Sequence, residues 1–193
     1  MIDIVLLGGG GHCKSCIDVI ELTENYRIIG IVDKKENIGK KVLGYEIFAD
    51  DDEIQSLSQK KVEFLVTVGH IKNVQTRVKL FNELNQLGAK MSKVISPLSY
   101  VSKYALIGEG TIVMHDAIIN ADAKIGKNCI VNTKALIEHD VCVLDHCHIS
   151  TGAIINGGTK VDSFSFVGSG SVSKEYTHIL ENSFIKANNL YLG

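Results

Sequence analysis

The sequence predicts two architectures in one chain: a small α/β domain with a parallel sheet, followed by a solenoid of short strands. Three observations predict this division. Apolar runs alternate with helical patterns in the first half, a six-residue repeat runs through the second half, and the single proline, Pro97, stands where the pattern changes. We therefore predict domains of residues 1–97 and 98–193.

Composition limits the classes of function that the chain can have. The 193 residues are 45% hydrophobic and 22% charged, with a formal net charge of −2 and no long block of Lys or Arg, so we expect no nucleic-acid partner. No basic leader and no membrane-length apolar run is present, so we expect no membrane partner and a cytoplasmic location. The five cysteines are an odd number, which favours reduced thiols over a disulfide framework.

Secondary structure in the first half follows from hydrophobic periodicity. Apolar runs predict strands over residues 2–7, 28–32, 64–68 and 91–95, and helical spacing predicts helices over 14–24, 51–58 and 73–87. Gly44 and Tyr45 are expected in a short irregular link. The alternation of strands and helices implies a small, Rossmann-like parallel sheet.

A run of four glycines and a histidine, residues 8–12, follows the first strand. The dinucleotide fingerprint G-x-G-x-x-G fails here, because its third glycine would fall on Cys13 or Lys14. What remains is a glycine loop at the start of a helix, which offers backbone N–H groups to a phosphate. Asp33 ends the second strand at the same sheet edge, where it could accept hydrogen bonds from a ribose or a base.

The same stretch allows two other interpretations. His12, Cys13 and Cys16 supply three metal ligands, but no fourth ligand stands at a recognisable spacing. Cys13 and Cys16 also have the C-x-x-C spacing of a redox pair at a helix start, although a preceding glycine run has no place in a thioredoxin-like motif. We therefore expect no metal and ordinary helix positions for both thiols.

The second half is built on hexads. Every sixth residue from Val101 to Ile185 is Val or Ile, with the one exception of Ser173, and the residue four places after each of them is nearly always small. This period fits neither a helix nor a single strand, but it fits a prism whose branched side chains point inward and whose small residues fill the corners. Three hexads make one coil, so residues 101–190 predict about five coils. Cys129 and Cys147 occupy the small positions, whereas Cys142 has no role in this pattern.

The hexads, the glycine loop and the nine residues Asn132–Asp140 (NTKALIEHD) together resemble the hexapeptide-repeat acetyltransferases of the PglD/NeuD type. These enzymes are nucleotide-aminosugar N-acetyltransferases and sialic-acid O-acetyltransferases. The resemblance implies a left-handed parallel β-helix, acetyl-CoA as co-substrate, and a homotrimer with active sites between subunits.

His139 is the third residue of its hexad, a bend position, so its imidazole is expected to project outward. Acetyl transfer needs a base near neutrality, and an adjacent carboxylate can orient the imidazole. The resemblance implies that His139 is the base and Asp140 the acid that strengthens it. His146, beside this region, has no matching role and is expected to be exposed.

The resemblance also implies binding residues. For acetyl-CoA these are His148, at the thioester end, with Gly157, Gly168, Ser169 and Ala187 along the arm. For a nucleotide-sugar substrate, Gly10, Gly11 and His12 contact the phosphate and sugar, Asp33 the nucleoside, and Gly69 lines the same pocket. The glycines also suit turns without any ligand. The chain lacks the Gly-x-Pro-Ala tail common in the family.

We therefore predict an acetyl-CoA-dependent N-acetyltransferase that acts on the amino group of a nucleotide-linked amino sugar in bacterial surface glycan or glycoprotein biosynthesis. Two alternatives stay open at this point. One is O-acetylation of a sialic or related nonulosonic acid, and the other is a non-catalytic hexapeptide scaffold.

Overall fold

A computed structural model describes residues 1–193. The chain divides into two compact units, one made of residues 1–69 and 73–92, the other of residues 70–72 and 93–193. No helix of the chain is both long enough and apolar enough to cross a membrane.

The first unit is a five-stranded mixed sheet with helices. Its strands are β1 (Ile2–Leu7), β2 (Tyr26–Val32), β3 (Lys41–Val42), β4 (Tyr45–Ala49) and β5 (Glu63–Val66). Its helices are α1 (Gly11–Thr23), α2 (Ile54–Ser58) and α3 (Gln75–Gln86), with 3₁₀ turns at Lys35–Asn37 and Asp51–Glu53. The sheet order is β3-β4-β2-β1-β5, parallel except for β3 against β4, which confirms the small α/β sheet.

The order of these strands creates a switch point. From β1 the chain builds outward through β2 and β4, and then crosses to place β5 on the opposite side of β1. In such sheets ligands bind where the strand order reverses, at the carboxyl ends of the strands. Here that position lies beyond Leu7 and Val66.

Two predicted elements of the first half are wrong in detail. Tyr45 does not lie in an irregular link: it begins β4 after a tight hairpin whose turn residues, Leu43 and Gly44, both have positive φ. Residues 91–95 are also not one strand. Met91 bridges to Phe64 in the first unit, whereas Val94–Ile95 pairs within the solenoid, so the hexads begin one step before Val101.

The second unit is a left-handed parallel β-helix, as predicted. Each two-residue strand pairs in parallel with the strand eighteen residues further on, which gives a three-sided prism of five complete coils and two further strands. The first face holds β6 (Val94–Ile95), β9 (Ile112–Val113), β12 (Ile130–Val131), β15 (His148–Ile149), β18 (Phe166–Val167) and β21 (Phe184–Ile185). The second face holds β7 (Tyr100–Val101), β10 (Ile118–Ile119), β13 (Leu136–Ile137), β16 (Ile154–Ile155), β19 (Val172–Ser173) and β22 (Leu190–Tyr191). The third face holds β8 (Leu106–Ile107), β11 (Lys124–Ile125), β14 (Cys142–Val143), β17 (Lys160–Val161) and β20 (His178–Ile179).

The core of the prism follows the hexad pattern. Hexad residues such as Ile119, Val131 and Ile137 are fully buried, and so are small corner residues such as Ala123 and Ala135. Each branched side chain thus meets the equivalent residue of the next coil across about 4.8 Å. The inward and corner positions predicted from the sequence are confirmed.

The polar corner residues form a repeated hydrogen bond between coils. The hydroxyls of Ser165 and Ser171 donate to the carbonyl fifteen residues further on, at 3.0 and 2.7 Å. The thiols of Cys129 and Cys147 make the same contact at 3.2 Å each. Contact with Cys129, together with burial, raises the pKa of the Cys147 thiol, so these thiols serve packing.

Each corner from residue 110 to residue 188 also contains a residue with left-handed backbone, at φ between +52° and +68°. These residues recur every six positions from 110 to 188, and most of them are Gly, Asn or Asp, the residues that tolerate this conformation. The exceptions are Lys134, His146, Phe164 and Tyr176. The bends are therefore sharp and regular, and they aim the preceding residue outward.

Candidate active site

His139 lies in the bend between β13 and β14, at the corner between the second and third faces. Its side chain is 57% exposed, which confirms the outward projection predicted from the hexad. Its Nδ1–H donates to Asp140 Oδ2 at 2.7 Å. This hydrogen bond is the main reason why the pKa of the imidazole is raised above its ordinary value, and the charges of Asp140 and Glu138 add to it.

Gly157 lies one coil above His139 and determines how open the imidazole is. A Cβ atom at position 157 would lie 2.9 Å from both Cε1 and Nε2 of His139, which is closer than real Cβ contacts. Because the residue is glycine, Nε2 stays accessible while Nδ1 is held by Asp140. The corner therefore presents one oriented nitrogen that can take up a proton.

Gly168, Ser169 and Ala187 lie together at a different corner, between the first and second faces. A Cβ atom on Gly168 would lie 2.5 Å from the Ala187 backbone nitrogen, so coil stacking by itself requires this glycine. Ser169 and Ala187 are exposed, and the Ser169 hydroxyl is 2.9 Å from that of Ser150. Within one chain the second face separates this corner from His139.

His148 is not at either corner and is only 6% exposed. Its Nδ1 donates to the carbonyl of His70, its Nε2 lies 3.1 Å from the Asn132 side-chain nitrogen, and its ring meets Phe166 edge-on at 5.2 Å. Both ring nitrogens are therefore engaged inside the second unit. The structure does not bring His148 to His139, and it favours a packing role.

His146 was predicted to be exposed, and this is wrong. The ring is 8% exposed, stacks on Phe164 at 5.2 Å and lies 3.0 Å from the Asn128 side-chain nitrogen. The prediction failed because the partner residues are eighteen residues away in sequence and meet only when the coils stack.

In the first unit the glycine loop joins β1 to α1 at the switch point. Gly8 has φ +108°, and a Cβ atom there would lie 2.5 Å from Val68 Cγ2, so a larger residue does not fit. Gly10 caps α1 without a side-chain hydrogen bond, and nothing lies within 4 Å of a Cβ atom on Gly10 or Gly11. There is therefore free space beside the backbone at the start of α1, where the first N–H groups of a helix are available to an anion.

Gly69 and Asp33 meet this loop from two sides. A Cβ atom on Gly69 would lie 3.5 Å from His12 Cβ, so the structure places these two predicted residues side by side. Asp33 accepts hydrogen bonds from the backbone of Gly9, from Lys34 N–H at 2.7 Å and from Asn37 at 2.9 Å. Burial opposes ionisation of Asp33, but these hydrogen bonds outweigh it and hold its pKa below the ordinary value. Asp33 therefore anchors the loop to the end of β2.

Cys13 and Cys16 are fully buried in α1. Burial raises the pKa of the Cys13 thiol to about 11 and that of Cys16 further. Metal binding and disulfide exchange both need thiolates, so this environment disfavours both alternative interpretations of the loop.

A second histidine–carboxylate group, absent from the sequence predictions, lies on the third face. His178 Nε2 is 2.7 Å from Asp162 Oδ2, and Lys160 Nζ is 2.8 Å from Asp162 Oδ1. Lys160 and His178 lower the pKa of the Asp162 carboxyl. Asp162 and His178 are sixteen positions apart in the sequence, which hides the pair, and only the stacking of Lys160 against His178 in adjacent strands would have indicated it.

Known proteins resemble this chain in both of its units. Residues 3–84 match the family described as the PglD N-terminal domain. No curated protein sequence matches the chain.

Solved structures match nearly the whole chain. The acetyltransferase domain of PglB from Neisseria gonorrhoeae FA1090 is 27% identical, covers 100% of this chain and 92% of that one, and has a TM-score of 0.88. The same domain in complex with acetyl coenzyme A is 29% identical over 91% and 83% of the two chains, with a TM-score of 0.83. A histidine-to-asparagine variant of perosamine N-acetyltransferase from Caulobacter crescentus, in complex with CoA and GDP-perosamine, is 25% identical over 99% and 93%, with a TM-score of 0.69.

Proposed function

We propose that this chain, which is an acetyl-CoA-dependent acetyltransferase of the PglD/NeuD type with hexapeptide repeats, acetylates the amino group of a nucleotide-linked amino sugar. The pathway that we propose is the synthesis of a bacterial surface glycan or glycoprotein. The observation that carries the proposal is the exposed His139–Asp140 pair, whose free Nε2 is kept open by Gly157.

The acceptor class is supported by the first unit and by a relative. The perosamine N-acetyltransferase of Caulobacter crescentus binds GDP-perosamine, a nucleotide-linked amino sugar. In this chain the loop of Gly10, Gly11 and His12 lies at a switch point and at the start of a thirteen-residue helix, where a diphosphate can accept N–H hydrogen bonds. We propose that Gly69 lines the sugar end of this pocket and that Asp33 contacts the nucleoside.

The proposed reaction is direct transfer. The amine nitrogen attacks the thioester carbonyl, His139 Nε2 takes a proton from that nitrogen, and the tetrahedral intermediate collapses to the amide with CoA leaving as its thiol or thiolate. Asp140 holds Nδ1–H, which fixes the tautomer with Nε2 unprotonated and stabilises the imidazolium that forms. This route needs no covalent enzyme intermediate.

Acetyl-CoA contacts are proposed at Gly157 on the His139 corner and at Gly168, Ser169 and Ala187 on the other corner. His148 is not among the proposed contacts of the thioester, because both of its ring nitrogens are engaged inside the chain. The two corners border the same face of the prism. In an assembly, one copy could therefore contribute its His139 corner and the neighbouring copy its Ser169 corner to a shared cleft.

The second face favours such an assembly as a homotrimer. Its outward residues form an apolar column along the whole prism: Tyr100, Ile118, Leu136, Ile154, Val172 and Leu190. The corresponding column on the third face is mostly polar or charged. Packing three second faces around a common axis would remove the apolar column from water and bring the His139 corner of one copy beside the Ser169 corner of the next.

The test is turnover by His139→Ala. We expect kcat to fall by about 10²- to 10⁴-fold, the usual contribution of a general base, while thermal unfolding and acetyl-CoA binding stay as in the wild type. CoA release would be measured with UDP-, GDP- and dTDP-linked 4-amino sugars. Asp122→Asn, which changes the equivalent exposed turn residue one coil below Asp140, is the control and should keep wild-type kcat.

Near-normal turnover by His139→Ala would contradict the assignment of the base. The acceptor panel should also include CMP-sialic acid and free sialic acid. Turnover with these alone would identify an O-acetyltransferase in place of the N-acetyltransferase proposed here.

A further inference from the structure

Tyr176 is an unusual residue for its position. It occupies the left-handed site of a corner at φ +52°, where aromatic residues are rare because the backbone conformation is strained. Its side chain is 76% exposed, so burial does not compensate for this strain. An exposed aromatic ring held in an unfavourable backbone conformation points to a function for the ring.

The ring lies at the same corner as the base. Tyr176 N–H donates to the Gly157 carbonyl at 2.9 Å, and Gly158 N–H donates to the His139 carbonyl at 3.0 Å. A Cβ atom on Gly158 would lie 2.3 Å from Tyr176 Cδ1, just as one on Gly157 would lie 2.9 Å from His139 Nε2. The two adjacent glycines therefore each accommodate one ring: the His139 ring packs against Gly157, and the Tyr176 ring packs against Gly158.

A groove leads away from this point. It encloses about 570 Å³ and is lined by residues 174–178, Tyr176 among them, and by the chain end at Leu192 and Gly193. It therefore runs from the coil above Gly158 toward the last coil, away from His139. A long ligand with its reactive end at His139 could extend along this groove, whose charged lining residues are Lys174 and Glu175.

We propose that Tyr176 is a positioning residue for acetyl-CoA, with its ring packed against the pantetheine arm close to the thioester. This inference rests on the proposed function, in which the diphosphate of the acceptor is held by the glycine loop of the first unit. Acetyl-CoA, the other long substrate that carries phosphate groups, is then the ligand that we assign to the groove. An aromatic ring suits an arm of alternating methylene and amide groups, because it offers apolar area and loses little side-chain entropy.

The test separates the two Michaelis constants. Tyr176→Asn removes the ring and tolerates the left-handed backbone, so we expect unchanged or higher thermal stability. We expect KM for acetyl-CoA to rise about tenfold, the effect of losing one good aromatic contact, with KM for the acceptor unchanged. Tyr176→Phe keeps the ring and should behave as the wild type. Tyr104→Asn is the control for the loss of an exposed ring: Tyr104 lies at the same corner four coils earlier, without the left-handed backbone, and its substitution should change neither constant.

An unchanged KM for acetyl-CoA in Tyr176→Asn would overturn the inference, and so would a rise in the acceptor KM alone. In either case a loss of turnover in His139→Ala would leave the proposed function standing. If the wild-type protein releases no CoA with any acceptor in the panel, the proposed function itself fails.

Discussion

At the scale of single residues, Asp140 has two roles that depend on different parts of the residue. Its backbone takes the left-handed conformation of the corner at φ +61°, and its carboxylate accepts the hydrogen bond from His139. Asn tolerates the same backbone but carries no charge. Asp140→Asn therefore keeps the backbone conformation of the turn and removes only the negative charge beside His139.

For Asp140→Asn we predict a shift in the pH profile. The side-chain hydrogen bond and the charge of Asp140 raise the pKa of His139, so in the wild type the imidazole loses its proton at a higher pH than an ordinary histidine does. Removing the charge lowers that pKa, so the acidic limb of kcat/KM should move to lower pH, and the maximal kcat should fall because the base is weaker. The measurement is kcat/KM from pH 5 to 9 for the wild type, Asp140→Asn and the control Asp122→Asn. An acidic limb that stays in place would show that His139 is not the titrating group.

At the scale of elements, each corner of the prism combines a bend with a residue that is small at most corners, and the polar corner residues add a hydrogen bond to the next coil. Ser165, Ser171, Cys129 and Cys147 fill the small position in different corners with nearly the same geometry. At Cys129 and Cys147 a hydroxyl can therefore take the place of the thiol.

We predict that Cys129→Ser changes the free energy of unfolding by no more than about 1 kcal/mol, since a serine hydroxyl can donate to the same Leu144 carbonyl. Cys129→Val adds a branched methyl group to a fully buried corner and loses the hydrogen bond, so it should cost about 1–3 kcal/mol. Chemical denaturation of both variants measures the difference. Equal stability of the two variants would refute the packing role of this corner.

At the scale of the whole molecule, the three faces of the prism differ in character. The first face is largely buried, the third carries Lys124, Lys160 and His178, and the second presents its apolar column to solvent. The corner residues proposed for catalysis and for acetyl-CoA binding border this second face. Catalysis and assembly are therefore expected to depend on the same surface.

We predict that Ile118→Lys prevents trimer formation and lowers turnover together, because three like charges would meet where the apolar columns pack. Leu106→Lys is the control: Leu106 is 63% exposed, against 41% for Ile118, but it lies on the third face. Sedimentation velocity gives the oligomeric state, and CoA release gives the activity. A wild-type monomer with full activity would contradict the proposed shared site.

The sequence by itself determined the features that repeat locally. A branched residue every six positions and a small residue four places later specify the bend, the inward side chains and the coil, so the prism and the outward direction of His139 could be predicted. The α/β sheet and the glycine loop followed in the same way from local periodicity. The hairpin at Leu43 and Gly44 was missed because its turn residues are not the usual Asn-Gly pair, although burial along β4 alternates as in a regular strand.

Only the tertiary structure decided which distant residues meet. Gly157 lies against the His139 ring because it is eighteen residues further on, one coil away, and Asp162 reaches His178 for the same reason. His146 is buried by residues of the neighbouring coils instead of exposed, and His148 is engaged by a partner as far away in sequence as His70. The six-residue repeat predicts whether each side chain points inward or outward. The neighbours that the side chain contacts depend on how the coils stack. This stacking therefore decides which histidine is free to accept a proton.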